Sequence, residues 1–94
     1  MRYVIKTNKT KLYQFVKGYS GLELPPMRSF EFKHVGNSYW LSGYRYTFYM
    51  SGVCGTPMLR IREYISDELP QRDRVEYLSV KSLLEGGLLQ EVSQ

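Results

Sequence analysis

Hydrophobic and polar residues alternate with a two-residue period over much of the chain, the signature of strands that bury one face. Arg2–Thr7 sets Tyr3, Ile5 and Thr7 against Arg2, Val4 and Lys6 and reads as a strand. Ser29–Val35 places Phe30, Phe32 and His34 on one side and Glu31, Lys33 and Val35 on the other. Beyond Gly36-Asn37-Ser38 the alternation runs from Tyr39 to Met50, with Trp40, Tyr44, Tyr46, Phe48 and Met50 sharing a face. For that aromatic face to coincide with Phe30, Phe32 and His34, the connecting loop needs an odd residue count, as a Gly36–Ser38 loop has. The pattern therefore predicts a central β-hairpin over about 29–50. Met58–Ile65 alternates again, with Leu59, Ile61 and Ile65 on its apolar side and Met58, Arg60, Arg62 and Tyr64 on the other.

Elsewhere the pattern is less uniform. Leu12, Phe15, Val16 and Tyr19 fall at helical spacing, with Asn8 or Thr10 as an N-cap and Gly21 as a stop. The same stretch also reads as a hairpin turned at Thr7–Thr10, because Asn8 tolerates a positive φ and LYQFV has strand composition. The helix over 9–19 is the favoured reading. Leu22–Met27 is a connector, since Pro25 and Pro26 lack two backbone donors. Ile65–Asp73 reads as a polar loop, and Arg74–Val80 as a last strand or the lead-in to a short helix over Val80–Glu85 capped by Ser79. Gly86 and Gly87 end that helix, and Leu88–Val92 is short enough for one more edge strand. The expected fold is α+β and β-dominated, a four- to five-stranded, mainly antiparallel sheet, flat or partly closed as a barrel, with one or two short helices.

With no repeat, low-complexity tract or linker, the 94 residues form a single domain over 1–94. Nine tyrosines dominate an aromatic fraction of 15%, which suits both pleated surfaces and binding faces. The single cysteine, Cys54, cannot form an internal disulfide. No apolar run is long enough to span a bilayer, and the N-terminus has no signal-peptide core, so a cytoplasmic protein without membrane contact is expected. A chain starting at methionine without a tag reads as a complete small gene product. Charge is divided unevenly. Residues 1–62 carry ten Lys/Arg against two Glu, a surplus of +8, while residues 63–94 carry three Lys/Arg against seven Asp/Glu, a deficit of −4. This predicts either a basic side suited to an anionic partner, or two charge sets that face one another in the fold.

Catalytic chemistry has little to stand on. His34 and Cys54 are single representatives of their types, about twenty positions apart, and cannot supply a four-ligand zinc site. Asp67, Glu68 and Glu76 read as solvated acids, and Gly52–Gly55 is no phosphate loop. No enzyme activity, metal or cofactor is expected. The run Ser42–Tyr49 resembles the octapeptide with which RNA-recognition-motif domains stack bases, matching it at Gly43, Tyr44, Tyr46 and Tyr49. It departs from that pattern at Ser42 and Arg45, and Tyr3-Val4-Ile5 lacks the companion motif, so no family is assigned.

The aromatic stripe is expected to be core, because a domain of this size needs one such wall. Binding is then expected on the opposite, basic faces, through Lys33, Arg45 and Tyr49 of the hairpin and Arg60, Arg62 and Tyr64 of the next strand. Two guanidinium forks about 7 Å apart along a strand match a pair of phosphates or carboxylates. If the other face is wet, Tyr44 and Tyr46 become the stacking platform, each ring worth about 1–3 kcal/mol per base. The functional expectation is a small non-enzymatic binding protein, an inhibitor or modulator of the kind phage and mobile-element genes encode, docking on a host protein or nucleoprotein complex. The alternative is direct RNA or DNA binding. A third reading is a homo-oligomer joined through exposed strand edges.

Overall fold

The computed structural model describes residues 2–52, 56–64 and 70–92. The chain runs β1 (Arg2–Ile5), α1 (Lys9–Ser20), a 3-10 turn (Met27–Ser29), β2 (Glu31–Val35), β3 (Ser38–Gly43), β4 (Tyr46–Ser51), β5 (Met58–Tyr64), β6 (Pro70–Tyr77), α2 (Val80–Gly86) and β7 (Leu89–Val92). β2 to β6 form a five-stranded antiparallel meander in sequence order, and β1 pairs with β7 in a separate two-stranded sheet. The larger sheet is open, with β2 and β6 as its edges, so the barrel alternative does not hold.

Local chemistry accounts for both helices. The Asn8 carboxamide oxygen accepts a hydrogen bond from Lys11 N–H at 2.9 Å, and Gly21 closes α1 in the left-handed region at φ 69°. The Ser79 hydroxyl caps α2 through Ser82 N–H, and Gly87 ends it at φ 74°. α1 buries Leu12, Tyr13 and Val16 against one side of the meander, where Tyr39, Leu41, Phe48, Met50, Leu59 and Ile61 point inward. Leu78, Leu83, Leu88 and Ile5 complete this core. The Tyr39 hydroxyl donates to Ile5 C=O at 2.9 Å, joining the two sheets through the core.

Two features of the central hairpin differ from the pattern-based reading, and together they decide the outer surface. The first turn has two residues, Gly36-Asn37, and Ser38 is already paired with Val35. Gly36 takes φ 59°, which places glycine where a tight two-residue hairpin of the II′ kind requires it. An even loop reverses the parity, so Trp40 lies opposite Lys33 while Phe32 lies opposite Leu41. Trp40 therefore faces away from the core. The second difference is a break at Tyr44-Arg45. The 39–50 run is two strands folded back on each other, with Gly43 opposite Tyr46. The predicted two-stranded hairpin over 29–50 is a three-stranded meander. Pro70–Asp73, expected within a loop, belongs to β6. Ile65, Asp67 and Glu68, together with Cys54, lie outside the described residues.

Candidate functional site

The helices and the small sheet all pack on the inner side of the meander, leaving its other side open. The strand registers line up the outward residues in rows across the sheet. Lys33, Trp40, Tyr49, Arg60 and Val75 form the middle row. Glu31, Ser42, Thr47, Arg62 and Asp73 form the row beside it, and Val35, Ser38, Ser51, Met58 and Tyr77 the row on its other flank. The middle row is thus a cation, two aromatic rings, a second cation and an aliphatic residue, each about 5 Å from the next.

Trp40 stands at the centre. Its ring lies 4.9 Å from that of Tyr49 at a 46° tilt, and the Lys33 ammonium sits 5.7 Å from its centroid on a cation–π contact. The Tyr49 hydroxyl bonds Ser38 Oγ at 3.1 Å, and hydrogen bonding from Ser38 and then Ser51 lowers its pKa from the ordinary tyrosine value. Small residues beneath the rings leave room. A shallow depression of about 360 Å³ is lined by Trp40, Thr47, Tyr49, Arg60 and Arg62. A second, of about 280 Å³, is lined by Glu31, Lys33, Trp40 and Ser42. Trp40 is the ridge between them.

The two arginines of β5 share one carboxylate. Arg60 donates through Nε and Nη2 to Asp73 Oδ1 and Oδ2 at 3.0 and 2.9 Å, and Arg62 Nε donates to Oδ2 at 3.2 Å. The Arg60 hydrogen bonds, followed by the nearby positive charges, pull the Asp73 pKa below the 3.8 of an unperturbed aspartate. A carboxyl depressed in the folded state stabilises the fold above the unfolded-state pKa, and that contribution disappears as pH falls through the lower folded value. Side-chain carboxyl NMR should therefore find Asp73 still ionised at pH values where a solvated aspartate is half protonated. The Arg60→Gln variant should move that midpoint upward. An Asp73 titrating at the solvated value would mean that the bridge is absent in solution.

Of the six residues expected to bind, Lys33, Tyr49, Arg60 and Arg62 are brought together on the open face. Arg45 is not among them, because it lies in the β3–β4 turn with its guanidinium carbon 5.1 Å from the Tyr44 ring centroid. Tyr64 sits half-buried at the end of β5, past a register shift at Glu63/Tyr64, and its N–H donates to Arg45 C=O at 2.7 Å. The alternative stacking pair is separated too. Tyr44 occupies the turn, 77% exposed, while Tyr46 is half-buried and stacks on Phe48 at 6.0 Å. The octapeptide-like run is folded across a turn, so its aromatics do not lie along one strand. No protein-family model, no curated protein and no solved structure matches the chain.

Two residues central to the site escaped the pattern. A three-residue Gly36–Ser38 loop puts Trp40 in the core, whereas the two-residue Gly36-Asn37 turn puts it on the open face. Asp73 falls in the stretch that reads as a polar loop, and it comes to face Arg60 and Arg62 only once β5 and β6 are paired. The first and second halves of the chain do meet in charge here, Arg60 and Arg62 against Asp73. His34 is exposed, stacks on Tyr39 at 4.2 Å and bonds Gly36 C=O at 2.7 Å through Nε2. Among the described residues no group of three or more His, Cys, Asp or Glu side chains could hold a metal ion, and no helix is long and apolar enough to cross a membrane.

Proposed function

We propose that this chain is a small non-enzymatic binding protein of the cytoplasm, an inhibitor or modulator that docks on a host protein or nucleoprotein complex through the open face of its meander. The observation that carries this reading is the Lys33–Trp40–Tyr49–Arg60–Val75 row, which sets Trp40, Tyr49 and Arg60, the residue types that most often anchor protein interfaces, side by side on the open face. Asp73 supports a protein partner over a phosphate backbone, because it already neutralises part of the Arg60/Arg62 charge. What remains is a mildly cationic, aromatic surface. It complements an acidic protein surface carrying apolar side chains.

Affinity capture with matched variants tests the docking face. A protein retained by the wild type and by the inner-side control Arg72→Ala/Arg74→Ala, but lost by Trp40→Ala/Arg62→Ala, is the expected result after nuclease treatment. Equal retention by all three would remove the open face from consideration. Direct nucleic-acid binding is the second reading, favoured by Trp40 and Tyr49 sharing that face with Lys33. It predicts binding of a mixed-sequence single-stranded oligonucleotide at low salt that weakens steeply at physiological salt.

A further inference from the structure

The turn at Tyr44-Arg45 is an anomaly within an otherwise regular meander. Tyr44 holds φ 40°, a region that bulky side chains avoid and glycine or asparagine occupy at little cost. Its ring is largely in solvent, and the contact it makes among the described residues is the cation–π approach of Arg45. The backbone of the turn is held by the pairing of β4 with β3 and β5 and by Tyr64 N–H donating to Arg45 C=O, while the Tyr44 side chain itself stays exposed, and strained backbone of this kind gathers at sites of contact. The turn projects from the end of β3 and β4 where Ser42 faces Thr47, so it continues from the depression beneath Trp40.

The cations around that depression are unequally engaged. Arg60 gives two nitrogens to Asp73, whereas Arg62 gives only Nε, and its two terminal nitrogens make no hydrogen bond among the described residues. Lys33 rests on Trp40 without a carboxylate partner among the described residues, and Arg45 likewise forms no ion pair there. Lys33 and Arg62 are three strand spacings and one row apart, about 16 Å. In an extended peptide, side chains four residues apart are separated by about 14 Å. Two carboxylates at that spacing would reach both cations, with the residue midway between them over Trp40.

Resting on the docking reading above, we infer that the ligand of this face is an extended acidic protein segment, carrying a large apolar side chain flanked two residues away on each side by Asp or Glu. The apolar group lies against Trp40 in the Thr47 depression, the carboxylates engage Lys33 and the terminal nitrogens of Arg62, and the Tyr44-Arg45 turn flanks the segment between them.

Trp40 is the chain's single tryptophan, so its intrinsic fluorescence reports on this site directly. The probe is a blocked peptide with Glu-Gly-Phe-Gly-Glu at its centre, titrated into the intact protein at low salt, beside a copy with both Glu replaced by Gln. A saturable change in Trp40 emission with the acidic peptide at sub-millimolar concentration is expected, at least tenfold weaker for the Gln copy. Lys33→Ala and Arg62→Ala should each weaken it severalfold, Tyr44→Gly should weaken it while raising the unfolding temperature, and Arg72→Ala should leave it unchanged. Identical responses to the two peptides, no response, or displacement of the acidic peptide by an oligothymidine at equal concentration would overturn the inference. If these fail while capture still depends on Trp40 and Arg62, the ligand chemistry is wrong and the docking face stands. If capture is also indifferent to those residues, the docking reading falls with it.

Discussion

Phe48→Ala is expected to destabilise the protein by about 3–5 kcal/mol, the usual cost of emptying a buried aromatic site. Phe48 lies fully buried on β4, the middle strand of the meander, opposite Leu41 on one side and Ile61 on the other. Its ring stacks on Tyr46 and lies 6.5 Å from Phe30, which in turn meets Tyr13 of α1 edge-on at 5.6 Å. Truncation opens a void where three strands and a helix converge, and a pleated sheet cannot close it without breaking register. Against a typical total of about 5–15 kcal/mol, the variant should be barely folded at room temperature. Urea unfolding followed by far-UV dichroism would show a lowered midpoint with an unchanged slope. Tyr49→Ala, one residue along on the open face, provides the contrast and should cost no more than about 1 kcal/mol. Similar losses for the two variants would contradict the assignment of faces.

Gly43→Ala is expected to destabilise by about 1–2 kcal/mol, although alanine normally improves on glycine in a strand. A methyl group there would lie 2.7–2.8 Å from Cδ1 and Cγ of the Phe30 ring, closer than carbon atoms tolerate. Phe30 has little room to retreat, being 2% exposed and held between Tyr13 and Phe48. Overpacking of this kind costs about 1–3 kcal/mol. The reduced freedom of the unfolded chain returns about 0.4–1 kcal/mol. The double variant Gly43→Ala/Phe30→Leu separates this cause from a backbone effect, because a narrower side chain makes space for the methyl. Its loss should be smaller than the sum of the single losses, and strict additivity would mean that the two positions do not touch.

Much of the architecture was legible along the chain. Of the caps that the chain offers, Asn8 rather than Thr10 opens α1 and Gly21 closes it, while Ser79 opens α2 and Gly87, of the Gly86-Gly87 pair, ends it; capping depends on residues within a turn of one another, so these signals are local. Met58–Tyr64 displayed its two faces plainly, and Leu59 and Ile61 are buried as the alternation required. The break at Tyr44-Arg45 was not legible. Neither of its two central residues is the Gly, Asn, Asp or Pro that marks a tight turn, and Tyr44 accepts a positive φ that its own preferences disfavour. Pairing of β4 with both β3 and β5 imposes that turn, since a continuous 39–50 strand would leave Phe48 and Met50 without the neighbours that bury them.

The candidate site shows the same division. Arg60 and Arg62 share a face because alternate strand residues must, and the sequence suffices for that. Whether Trp40 joins them depends on one residue more or less in the Gly36-Asn37 turn, a parity that hydrogen-bond pairing decides.

By itself, then, the sequence determined a β-rich chain with one or two short helices, a basic strand and an excess of tyrosine, all properties that short-range geometry imposes. Tertiary structure alone decided that the sheet stays open, that Trp40 faces solvent, and that Asp73 reaches across from β6 to hold both arginines. Those outcomes rest on register between strands, and register is a free energy shared by residues far apart in the chain, carried by none of them singly.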